Sequence, residues 1–174
     1  MAAAKPGIEA SVMEGWLRDM GCDPVRTGDE SSNWRFDLVF PPTSSHKLFV
    51  VNPKQPPRAI LVVSGAVLSP AHLAAFDSLG EDARREFVLD LQEALNRDHV
   101  ECTIQGVTAS SIRPSGFQVM GIIFDDGLSL DALALRMSAV YKAELAGILC
   151  VTRRLAPRSD PAPGAPNLGK YGVQ

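Results

Sequence analysis

The sequence is poor in the features that announce chemistry. It holds three cysteines, Cys22, Cys102 and Cys150. None belongs to a C-x-x-C pair, which excludes a zinc ribbon and a thioredoxin-like motif. No G-x-x-x-x-G-K-S/T run exists, and Gly116 and Gly121 lack the strand-then-helix setting of a dinucleotide fingerprint. Ser64-Gly65 lacks the G-x-S-x-G of a nucleophile elbow. Asp125-Asp126-Gly127 lacks the alternating oxygen ligands and distal Glu of a calcium loop. No apolar run outlasts Leu145 to Val151, far below the roughly 20 residues that span a bilayer. No basic run exceeds Arg153-Arg154, and the net charge is −3. That balance argues against a general nucleic-acid binder, whose surface needs a basic patch. The opening MAAAKPGIEA lacks the long apolar core of a signal peptide. An odd cysteine count without a leader suits a reducing compartment. The expectation is a cytoplasmic protein with no cofactor, no nucleic-acid partner and no membrane association.

What is present is an ordinary globular composition, 45% hydrophobic and 21% charged over 174 residues. That length predicts one domain, over 8–155, between a disordered lead-in (1–7) and a disordered tail (156–174). Ile8 to Met20 reads as a first helix, with Ile8, Val12, Trp16, Leu17 and Met20 at helical spacing. Gly21 ends it, and GCDPVRTGDESSN reads as a turn-rich connector. Trp34 to Phe40 alternates apolar and polar residues, the mark of a strand with one dry face. Lys47 to Asn52 is a second strand. Ala59 to Val67 is a third, apolar on both faces and therefore expected to lie centrally, covered on both sides.

Ser69-Pro70 then supplies a cap and a first helical residue. Gly80 interrupts the helical region, and Glu81-Asp82 restarts it at a favourable pole of the helix dipole. Glu81–Arg85 and Glu93–Arg97 are pairs four residues apart. Val100 to Val107 is a fourth strand; a loop to Ser115 leads to a fifth, Phe117 to Phe124. Ser129 caps a last helix, Leu130 to Leu155, about 39 Å long at 1.5 Å per residue. From Leu145 to Val151 this helix is apolar all round, so it must be covered on more than one side. A homodimer is the expected cover, with Leu145, Ile148, Leu149 and Val151 as contact positions. The tail, APRSDPAPGAPNLGKYGVQ, carries four prolines and three glycines and reads as idle. The element order is α-β-β-β-α-β-β-α, an α+β pattern with a five-stranded antiparallel sheet.

Val50 to Leu95, VVNPKQPPRAILVVSGAVLSPAHLAAFDSLGEDARREFVLDLQEAL, carries a resemblance. Its strand, Pro-Lys turn, strand, Leu-Ser-x-x-His and acidic-basic helix with Phe and Asp-Leu resemble a largely archaeal family known as a domain of unknown function. The element order is similar to the type III secretion chaperone-like fold, shared with the YbjN-like family. The likeness spans about residues 8 to 155. It implies that fold and supplies no catalytic residues. Secretion chaperones with this fold bind unfolded segments of effectors as dimers, and a chaperone- or adaptor-like role is the corresponding expectation.

Among titratable residues His72 stands out, in the first turn after Ser69-Pro70. With His99 beyond the end of the same region, it reads as an acid–base or metal group only if other ligands converge; otherwise His72, His99 and His46 are surface or capping residues. Cys102 and Cys150 read as small core hydrophobes, and Cys22 follows a helix C-terminus, the wrong pole for a nucleophile. The leading expectation is a non-enzymatic protein-binding module. The alternative is a small enzyme or ligand-binding domain with a pocket near His72. A nucleic-acid surface would need Arg35, Lys47, Lys54 and Arg58 to form one basic face.

Overall fold

The computed structural model describes residues 8–28, 30–55, 58–97 and 99–155. The lead-in 1–7 and the tail 156–174 lie outside the described residues. The elements run α1 (Ala10–Asp19), β1 (Val25–Thr27), β2 (Ser32–Val39), β3 (Lys47–Pro53), β4 (Ala59–Val67), α2 (Pro70–Asp77), α3 (Glu81–Leu95), β5 (Glu101–Thr108), β6 (Ser111–Phe124) and α4 (Leu130–Leu155), with a 3-10 turn at Asp125–Gly127 before the last helix. The sheet has six strands, in the order β1-β2-β3-β4-β6-β5, and each neighbouring pair is antiparallel.

The expected five strands become six because the connector after Gly21 holds β1. Val25-Arg26-Thr27 pairs with Arg35 to Asp37 but is exposed at every position, so no alternation marks it. The expected loop before Ser115 is also strand. β6 starts at Ser111, directly opposite Thr108, and the ladder shifts register between Gln105 and Val107. Gly106 sits in that bulge at φ 82°, a conformation that glycine adopts without cost. Pro114 is tolerated in β6 beside the bulge, where the ladder is already broken.

One face of the sheet carries the core. Trp34, Phe36 and Leu38 of β2 share it with Leu48 and Val50 of β3, Ile60 and Val62 of β4, and Phe117, Val119 and Ile123 of β6. α4 crosses this face over β4 and β6, and α3 lies beside it. Their contribution is Phe87, Leu91 and Leu95 of α3 with Leu133, Met137, Val140 and Val151 of α4, all buried. Gly147 permits the close approach: a Cβ there would lie 2.6 Å from Leu95 Cδ2 and 2.8 Å from Phe117 Cζ. α1 closes the β2 end with Met13 and Leu17, and the Trp34 indole donates to the Ile8 carbonyl (3.2 Å). Val12, expected on the buried side of this helix, is 45% exposed; Met13 is buried instead.

The helix boundaries have local causes. Ser69 Oγ accepts from the His72 amide (3.3 Å) and Ser129 Oγ from the Ala132 amide (3.1 Å), so both serines cap as expected. Gly80 is the residue before α3. Glu81–Arg85 pairs on its surface. Glu93–Arg97 does not form among the described residues, because the helix ends at Leu95.

The opposite face of the sheet corrects another expectation. Among the described residues no helix packs over it, and within them β4 is covered by helices on one side. Its second apolar set, Leu61 and Val63, is half-buried by neighbouring strands rather than by a second layer.

Candidate functional site

The uncovered face has a defined geometry. The register aligns Phe49, Val63 and Met120 in one row across β3, β4 and β6, and Val51, Leu61 and Ile122 in the next. Six half-exposed apolar side chains thus stand side by side on an open sheet surface. Arg35 lies over the Phe49 ring at 4.2 Å and is held by Asp37 through Nε–Oδ1 (2.6 Å), splitting the surface into two hollows. The larger, about 410 Å³, lies over Val51, Val63, Gly65 and Val67 and is rimmed by Gln105 and Gln118. Its floor is bare backbone at Gly65, where a Cβ would meet Phe117 O at 2.4 Å. Among the described residues neither glutamine amide is engaged by another group. The second hollow, about 370 Å³, lies toward Val25 and Val39. An apolar floor flanked by free amides suits a chain whose side chains need cover and whose backbone needs hydrogen bonds.

His72 lines a different cavity, about 240 Å³, between β4, β6 and α4. Ile148 and Val151 line it too, so three of the residues singled out from the sequence meet here. Among the described residues the His72 ring has no hydrogen-bond partner; only its backbone amide is engaged, by the Ser69 cap. The other polar residue in the lining is Thr152. The apolar run of α4 divides between inside and outside. Val151 is buried in the chain's own core, Leu145 and Ile148 are half-buried, and Leu149 is 44% exposed. Val151 therefore offers no surface to a partner, and most of the cover this run requires comes from its own domain.

A buried polar cluster is the feature that sequence reasoning passed over. Glu144 of α4 is 4% exposed, and its Oε2 lies 3.3 Å from Nδ1 of His46. His46, expected at the surface, is instead packed edge-on against Tyr141, with ring centroids 5.1 Å apart. Ser64 is buried beside them and donates to the Lys47 carbonyl at 2.7 Å. Burial pushes the Glu144 carboxyl above the usual range; Ser64 and His46 pull it partly back. The Ser64 proton goes to the Lys47 carbonyl while His46 faces the carboxylate, so serine and histidine do not address each other and this is no nucleophile–base relay. One signal was available: Glu144 falls on the stripe Met137, Val140, Gly147, Val151, a charge on an apolar face.

The remaining candidates have structural partners. Arg58 pairs with Asp125 (3.0 Å), Lys54 donates to the Glu30 carbonyl (2.7 Å), and Arg35 is held by Asp37, so these cations are committed locally. Burial raises the Cys22 and Cys150 thiols, the direction opposite to nucleophile activation. Cys102 Sγ accepts from Gln92 (3.0 Å). The His99 carbonyl accepts from Arg136 (2.9 Å). Among the described residues no group of three metal-binding side chains converges, and no helix is long and apolar enough to cross a membrane.

The fold is therefore an α+β domain in which one sheet face is buried under helices and the other, among the described residues, is open. The chain belongs to the family described as "Uncharacterized conserved protein (DUF2299)", whose pattern matches residues 11–151. It is similar to an uncharacterized protein from Methanothermobacter thermautotrophicus, with TM-score 0.75 and 24% identity over 83% of this chain and 97% of that one. It is also similar to YbjN from E. coli, with TM-score 0.52 and 12% identity over 85% of this chain and 94% of that one. At these identities the two structures establish the fold. No curated protein matches.

Proposed function

We propose that the chain is a non-enzymatic, chaperone- or adaptor-like protein-binding module that takes an extended polypeptide segment onto the open face of its sheet. The observation that carries this reading is the pair of apolar rows on β3, β4 and β6 beside the free amides of Gln105 and Gln118. A contiguous apolar surface of this kind marks an interaction site more often than an idle one. The likeness to the secretion-chaperone fold supports the same reading, and three unpaired thiols fit a cytoplasmic setting.

The test uses a permanently unfolded probe, reduced and carboxymethylated α-lactalbumin carrying a fluorophore. Saturable binding is expected, with Val63→Asp weakening it at least tenfold, about 1.4 kcal/mol. Gln105→Ala with Gln118→Ala should weaken binding too, through exposed positions that leave the core intact. Absence of binding by the wild-type chain would remove the proposal.

The alternative, a ligand pocket at His72, has the 240 Å³ cavity in its favour. It predicts that a small apolar ligand shifts the His72 ring resonances. A screen that leaves those resonances unmoved would discard it.

A further inference from the structure

We propose that the segment Ala156–Gln174 of this same chain is the resident occupant of the groove over Val63 and Gly65, and competes there with any partner segment. This rests on the reading that the groove takes an extended chain. The first support is where the described chain stops. Val151 and Thr152, in the last turns of α4, line the small cavity with Ala66, Val67 and Phe117. Those same three residues also line the groove on the open face. Ala66 faces the helices and Val67, 82% exposed, faces the groove. α4 thus ends, at Leu155, by the end of the sheet where the groove opens.

The second support is reach. Leu168 lies thirteen positions beyond Leu155. At about 3.1 Å per residue in an extended proline-rich chain they span roughly 40 Å. A sheet layer is about 10 Å thick, so the segment can round the sheet end with slack. The third support is the order of residues. Pro157, Pro161, Pro163 and Pro166 form a stiff spacer that gives up little conformational freedom on docking. Beyond it NLGKYGV is free of proline and carries Leu168 and Tyr171, the only large apolar residues of the segment besides Val173.

Their spacing fits the groove. Three residues of extended chain reach about 9 Å at about 3.1 Å each, which is the span available between positions 168 and 171. Two strand spacings cover about 9.6 Å. Two strand spacings, from β3 to β6, are also the width of the groove, lined by Val51 of β3, Val63 and Gly65 of β4 and Gln118 of β6, so a segment crossing the strands can set one side chain over each outer strand. Tethering supplies the affinity: a linker whose reach covers the span makes docking intramolecular, so a weak contact suffices to fill the site.

The experiment is methyl NMR on the full chain. Expected are cross-peaks between the Tyr171 ring and the Val51 or Val63 methyls, unchanged on dilution. Leu168→Asp with Tyr171→Ala should move the Val51, Leu61, Val63 and Ile122 methyls and leave buried Leu133 and Val140 in place. The same variant should bind the labelled α-lactalbumin at least fivefold tighter. Identical methyl positions in wild type and variant would overturn the proposal. So would cross-peaks that appear only between differently labelled chains, which would make the occupant a second copy. If the methyls move but neither protein binds α-lactalbumin, the tail contact stands and the partner-binding reading falls. If both bind equally and no methyl moves, the reverse holds.

Discussion

Glu144 shows how far one residue departs from its surroundings. It lies on the inward stripe of α4, between Val140 and Gly147, and reaches His46 from within the core. Its folded-state carboxyl is raised, chiefly by burial. The native chain therefore holds this proton more tightly than the unfolded chain does. The stabilisation belongs to the protonated form; it is complete below the unfolded carboxyl range and fades as pH climbs through the raised value. Glutamine mimics the protonated acid and carries no charge to desolvate. Glu144→Gln should match the wild type in stability near pH 4 and exceed it at pH 8, by on the order of 1 kcal/mol. Paired urea melts at the two pH values measure this, and a variant less stable than wild type at pH 8 would show that the ionised carboxylate is worth its burial.

At the scale of elements, the contact between α4 and the sheet depends on Gly147. The space its missing Cβ would occupy is bounded by Leu95 and Phe117, both buried on other elements. Gly147→Leu forces α4 away from both and should cost about 2–3 kcal/mol, since overpacked cores lose that much. A thermal melt several degrees lower checks it. Elements with strong local signals were legible in the sequence. Ala59–Val67 and Leu130–Leu155 match the structure residue for residue, because a β-branched apolar run and a serine cap are local statements. β1 was not legible, since three exposed residues leave no periodicity. The first half of β6 was hidden because Ser-Ile-Arg-Pro-Ser-Gly has turn composition; only pairing across the Gly106 bulge makes it a strand. The open face was hidden for a related reason. Leu61 and Val63 look the same in sequence whether a second layer or neighbouring strands half-bury them. Of the polar sites, His72 was visible as a lone histidine near a cap, whereas His46 and Glu144 are 98 residues apart and meet only in the fold.

Self-association belongs to the whole molecule, because it asks which face the folded domain leaves unsatisfied. The sequence directed it to the end of α4, on the ground that an all-apolar helix needs more cover than one domain gives. α3 and the sheet supply much of that cover, and Val151 is spent inside. What remains is a stripe that ends at Leu149, with Leu145 and Ile148 half-buried beside it and Leu135 two heptads earlier at 73% exposed. A stable interface needs roughly 800 Å² from each partner, so three leucine-sized contacts fall short unless the stripe is used along its length. We therefore propose a weak homodimer through α4 that uses the stripe from Leu135 to Leu149, with the Lys142 stem lying along it and its ammonium in water. Light scattering at tens of micromolar should give about twice the 18.7 kDa chain mass, falling toward one chain on dilution. Leu149→Asp should abolish the dimer, since a carboxylate buried without a partner costs several kcal/mol. Val63→Asp should leave the mass alone, because the open sheet face is assigned to a polypeptide segment rather than to a second copy. A dimer lost with Val63→Asp and kept with Leu149→Asp would exchange the roles of the two faces.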